Sequence, residues 1–177
     1  LQSAGTWMFD SQGKAYIKDN PVLKEALRLT KEMVESGVCL LVPDWNAYIA
    51  TLNNGTVAST INGCWISGSI QAEKSQSGNW AVTNTPKLGK IPSSVNYSSQ
   101  GGSGWMVMAN SKHPDVAIDF LAQTFGGSIE LYETILPTSG AIATWLPAAS
   151  SSVYSMPIEF FGGQPIYEDL VSYAGKV

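Results

Sequence analysis

Asn53-Asn54-Gly55-Thr56-Val57-Ala58-Ser59-Thr60-Ile61-Asn62-Gly63-Cys64-Trp65 carries three structural instructions in close succession. Asn53-Asn54-Gly55 reads as a helix end, because glycine adopts the left-handed backbone of a C-terminal cap at no steric cost. Val57 to Ile61, entered through Thr56 and rich in β-branched residues, reads as a strand. Asn62-Gly63 then turns the chain sharply. The Trp65 ring is thereby expected at the exit of a strand, where it can face a ligand as a stacking platform.

Working outward, Asp44 can cap the helix that carries Ala47, Tyr48 and Leu52. Upstream, Asn20 caps and Pro21 opens an amphipathic helix in which Leu23, Ala26, Leu27, Thr30, Met33 and Val34 recur at helical spacing before Gly37. Downstream, Ile66 to Lys74 is expected as a short helix and Asn79 to Thr83 as a strand. Residues 84–104 hold Pro86, Gly89, Pro92, Gly101, Gly102 and Gly104 among Ser and Asn, a long irregular connection of the kind that is often functional. Trp105 to Ala109 reads as a buried strand, and Pro114 opens a helix whose face is Val116, Ala117, Phe120, Leu121 and Thr124. Ser128 to Thr134 is expected as a helix broken at Leu136-Pro137-Thr138, and Pro165 begins a last one through Tyr173. Strands alternating with helices predict a single α/β domain over residues 1–177, with no internal repeat.

Charge narrows the partners. The net charge is −4, Arg28 is the only arginine, and no basic run exists to neutralise phosphates, which argues against nucleic acid. Only 14% of residues are Asp, Glu, Lys or Arg, so the surface leans on Ser, Thr, Asn, Gln and Gly. The longest apolar runs, Val38 to Val42 and Trp105 to Ala109, fall far short of the roughly 20 residues that span a bilayer. The chain lacks a charged start followed by an apolar segment and does not begin with Met, so it reads as a mature or excised segment. Cys39 and Cys64 can be small buried hydrophobes or a pair, and their spacing from His113 suits no metal site.

Catalytic groups are not conspicuous. His113, the single histidine, lies between Lys112 and Pro114 at a helix start, where a solvated loop residue explains it. Glu25, Glu32, Glu35, Glu130, Glu133, Glu168 and Asp169 occupy polar helix positions, although a glycosidase pair is defined by distance and can hide among them. Gly101-Gly102-Ser103-Gly104 lacks the Lys-Ser/Thr of a phosphate loop and leads into a strand. No cofactor and no metal are expected. What stands out is six Trp and seven Tyr. Sugars present flat apolar faces rimmed by hydroxyls, a match for aromatic rings flanked by neutral hydrogen-bonding groups. Trp80, Trp7, Trp45 and Trp145 are read as core, while Trp65 and Trp105 are open to either role.

The order of these signals resembles the extracellular solute-binding proteins of family 1. It runs from Asn53-Asn54-Gly55-Thr56-Val57-Ala58 through Thr60 to Trp65 and Pro86 to Gly101-Gly102 and a strand. Ser111-Lys112-His113-Pro114-Asp115-Val116-Ala117-Ile118-Asp119-Phe120-Leu121 follows. Asp10 to Lys14 and Phe160 to Tyr167 extend the likeness to both ends, while Cys64 departs from the small residue or proline usual there. The resemblance implies one lobe of a periplasmic-binding-protein-like clamshell, a mixed sheet flanked by helices, truncated at both ends. It implies a non-enzyme that holds a mono- or oligosaccharide in an inter-lobe cleft and delivers it to the permease of an ABC transporter. Trp65 matches the family's stacking ring, Asn62-Gly63 its supporting turn, and Gly101-Gly102 a segment near the cleft.

Trp105 or Tyr97 would add a second apolar wall, and Gln100, Ser103 and Asn62 hydrogen bonds. The alternatives are another solute on the same fold (a polyamine, a metal complex or an oxyanion), a glycoside-active enzyme, or a carbohydrate-binding module. The location implied is the periplasm or a lipid-tethered cell surface, and an exposed Trp-lined face would suit a homodimer.

Overall fold

The helices begin where side chains satisfy the backbone donors that a helix start leaves open. The computed structural model describes residues 1–177. Helix α1 spans Pro21–Glu35, and its N-cap Asn20 accepts from the Leu23 N–H at 3.0 Å. The Asn20 amide nitrogen donates to the carbonyls of Trp7 (3.0 Å) and Tyr16 (3.2 Å), which ties the N-terminal segment to the helix start. Along α1, Arg28 pairs with Glu25 at 2.6 Å and with Glu32, and its guanidinium holds the Glu25 carboxyl below the usual range. Helix α2, Trp45–Asn53, is capped by Asp44 on the Ala47 N–H at 2.8 Å. Leu52 is fully buried, and Gly55 closes the helix at φ +73°, as the sequence predicts.

Helices α3 (Ile66–Ile70), α4 (Pro114–Gln123), α5 (Ile129–Ser139) and α6 (Ile166–Ala174) follow. Helix α5 corrects the expected break: Pro137 sits inside its last turn, and the helix runs on to Gly140 at φ +66°. A proline near a helix end forfeits a single backbone bond, which a continuing turn tolerates better than a mid-helix position does.

The mixed sheet expected from the sequence is absent. Pairing is limited to two isolated antiparallel bridges, Phe9 with Ala15 and Ile158 with Gln164. Strand propensity describes a pleated, half-buried surface and needs a neighbouring strand to act on, and none of the three expected strands finds one. At the first, the Val57 N–H donates to the Thr51 carbonyl at 3.2 Å and Thr60 hydrogen-bonds the Tyr48 hydroxyl. At the second, the Gln164 side-chain amide stands in for a strand, accepting from the Val82 N–H at 2.8 Å and donating to the Val82 carbonyl at 2.7 Å. The third, expected buried at Trp105 to Ala109, leaves Trp105 67% and Met106 89% exposed. The face of α4 is uncovered as well, with Phe120 59% exposed.

Contacts divide the chain into two compact units. The first comprises Leu1–Ile61, Thr83–Ser99 and Tyr173–Val177. In it the loop after Thr83 is irregular yet anchored: Val95 N–H donates to the Ser3 carbonyl at 2.7 Å, and the Gln2 side chain accepts from Ser99 N–H at 3.0 Å. The second comprises Asn62–Val82 and Gln100–Ser172 and has the larger core, including Ile66, Ile70, Tyr132, Leu136, Phe160 and Ile166.

Candidate functional site

Trp65 immediately precedes α3, with helical backbone angles (φ −61°, ψ −22°). The ring the sequence places at a strand exit therefore stands at a helix entrance. The turn that brings it there is built by its neighbours. Asn62 Oδ1 accepts from the Gly63 N–H at 2.8 Å, the Gly63 carbonyl accepts from Ile66 N–H, and the Cys64 carbonyl from Ser67 N–H, both at 3.2 Å. The indole folds back over Gly63 so closely that a Cβ there would lie 2.1 Å from Trp65 Cζ3.

Gly101 lies against the same Cζ3–Cη2 edge. A Cβ at this residue would approach Trp65 Cη2 to 3.3 Å, and its φ of +74° disfavours any side chain. Gly102 follows at φ +126°. The ring is thus held by side-chain-free backbone at Gly63 and Gly101 while 39% of the residue remains exposed. Gln100 and Ser103, on the loop that carries Gly101, are exposed.

Of the remaining expected residues, Trp105 belongs to the same unit and stacks on Phe125, with ring centroids 4.5 Å apart. Phe125 in turn meets the edge of Tyr132 at 6.5 Å. Tyr97 falls in the first unit, where its ring packs on Tyr173 at 5.8 Å and carries Lys176 Nζ at 5.1 Å. His113 is exposed ahead of α4, and Cys39 and Cys64 are free thiols.

Sequence reasoning missed what lies behind the ring. Gly140, Ser67 and Tyr167, from the end of α5, from α3 and from α6, converge on the Cys64 carbonyl one residue before Trp65. Ser67 and Tyr167 are buried, and burial pushes the Tyr167 phenol above its ordinary pKa, an effect the nearby Ser67 hydroxyl partly offsets. The only sequence signal for Gly140 is its place after Ser139 at a helix end. Tyr167 also lines a cavity of about 250 Å³ with Leu136, Val153, Met156 and Gln71. Trp65 is outside that cavity and presents its ring on an open surface.

The arrangement suits noncovalent stacking of a flat apolar face on a preset ring. Residues 2–155 match the family model of the bacterial extracellular solute-binding proteins. Over all 177 residues the chain is 35% identical to a lactose-binding protein of Rhizobium radiobacter, and it spans 42% of that relative's length.

Proposed function

The chain belongs to the bacterial extracellular solute-binding proteins, and from that membership we propose that it forms part of a carbohydrate receptor serving an ABC import permease. The observation that carries the reading is the Trp65 ring, whose Cζ3–Cη2 edge lies against Gly63 and Gly101 while 39% of the residue stays exposed. A sugar's C–H face packs on that ring, and neighbouring polar groups, with Asn62, Gln100 and Ser103 the candidates, meet its hydroxyls. Trp105, in the same unit, is the candidate further aromatic contact. The likeness to a lactose-binding protein makes a galactose-containing disaccharide the first ligand to test. The role is capture and delivery without bond chemistry, outside the cytoplasm, with a lipid tether as the proposed anchor.

Titration calorimetry with lactose and a panel of mono- and disaccharides tests this. We expect one sugar to bind, and Trp65→Ala to weaken it by about 1 to 3 kcal/mol, the scale of a buried aromatic contact. Affinity unchanged by Trp65→Ala would remove the ring from the site. Heat from polyamines or oxyanions, with none from any sugar, would replace the substrate class.

A further inference from the structure

We infer that Gly140 is a positioning residue for Trp65, an inference that rests on the sugar-stacking reading above. Gly63 and Gly101 lie against one edge of the indole, at Cζ3 and Cη2. The aim of the ring also depends on where the Cys64-Trp65 backbone sits. Gly140 reaches that backbone at close quarters. A Cβ at this position would lie 2.9 Å from Ser67 Oγ, 3.3 Å from the Cys64 carbonyl oxygen and 3.6 Å from the Tyr167 hydroxyl.

Of these neighbours the Cys64 carbonyl is backbone and can retreat only by moving the chain. Ser67 and Tyr167 are buried, and the Cys64 carbonyl is engaged by Ser67 N–H in the first turn of α3. In a packed interior such an intrusion moves the surrounding atoms. A side chain at 140 therefore shifts the first turn of α3, and Trp65, joined to it directly, turns against Gly63 and Gly101. Gly162 supplies the control within the same unit. It has nearly the same backbone angle, φ +64° against +66°, but a Cβ there meets nothing within 4 Å. Gly162→Ala carries the backbone strain alone, whereas Gly140→Ala carries strain and intrusion together.

The full chain is labelled with fluorotryptophan, and the Trp65 fluorine resonance is identified by its absence from Trp65→Phe. We expect Gly140→Ala to move that resonance and to weaken lactose, or the sugar the panel identifies, roughly tenfold, as an overpacked contact does. Gly162→Ala should leave both unchanged. Adding Ser67→Ala to Gly140→Ala removes the nearest obstructing atom and should restore resonance and affinity. An unmoved resonance in Gly140→Ala, an equal shift in Gly162→Ala, or no recovery in the double variant overturns the assignment. Should Gly140→Ala not fold, Ser67→Thr crowds the same contact from the opposite side and is read by the same two signals. If the unaltered protein binds no sugar, the functional reading fails, and the resonance still decides whether Gly140 aims the ring.

Discussion

Gly63 shows how a missing side chain can be a functional group. Its backbone lies outside the positive-φ region, so freedom to turn is not what the position requires. It requires empty space, because the Trp65 ring occupies the volume a Cβ would fill. Gly63→Ala leaves an unstrained backbone but forces the indole to another rotamer. Overpacking of this kind is expected to cost about 1 to 3 kcal/mol where the ring cannot leave, and less where it swings into solvent. Trp65 is already 39% exposed, so the second outcome is expected: urea unfolding nearly unchanged, with sugar affinity reduced as far as by Trp65→Ala. A Gly63→Ala protein that unfolds readily yet binds sugar normally when folded would show that the ring's observed position serves stability.

Helix starts in this chain differ in what their caps do, although the sequence writes them alike. Asp44 is exposed and satisfies one N–H of α2, so Asp44→Ala should cost about 1 kcal/mol, the ordinary value of a cap. Asn20 is 2% exposed, and its amide nitrogen also serves the carbonyls of Trp7 and Tyr16. Asn20→Ala leaves those acceptors with their bonds unmade and should cost more than Asp44→Ala by about 1 to 3 kcal/mol. Equal losses in denaturant titrations would mean that water replaces the amide at both carbonyls. The caps themselves were legible because they are local: Asn20-Pro21, Asp44 and Pro114 announce helices that the structure contains. The strands were not legible, because a strand is completed by a neighbour that propensity does not supply. Val82 is the clearest instance, since its ladder partner is the side chain of Gln164, 82 residues away. The site divides in the same manner. Asn62, Gly63 and Trp65 are near neighbours in sequence and lie within one turn, so their proximity is legible there. Gly140 and Tyr167 reach that turn through the ends of two other helices, a meeting that only the folded chain displays.

Buried polar rings mark the second unit, where Tyr132 and Tyr167 stand among Leu136, Phe160 and Ile166. Burial raises the pKa of both phenols, because the phenolate would lose its hydration. Tyr132 additionally donates to the Phe125 carbonyl at 2.8 Å, a bond that only the protonated hydroxyl can give. The consequence for stability follows from proton counting. A phenol whose folded pKa exceeds its unfolded value of about 10 holds its proton in the native state while the unfolded chain releases it, so alkali draws the equilibrium toward unfolding. The contribution of these two rings is fully present below about pH 10 and is lost as the pH rises through the folded pKa. Urea unfolding between about pH 8 and 11 should therefore be flat at first and then fall, and it should fall less steeply in Tyr132→Phe and Tyr167→Phe. Tyr132→Phe also removes a hydrogen bond and starts from a lower plateau, so the comparison is between slopes. Identical alkaline slopes in the parent and both variants would mean that lysines or the exposed tyrosines govern the decline. A shallower slope in Tyr167→Phe, accompanied by unchanged sugar affinity at neutral pH, would separate the ring's part in the core from the part Gly140 plays in aiming Trp65.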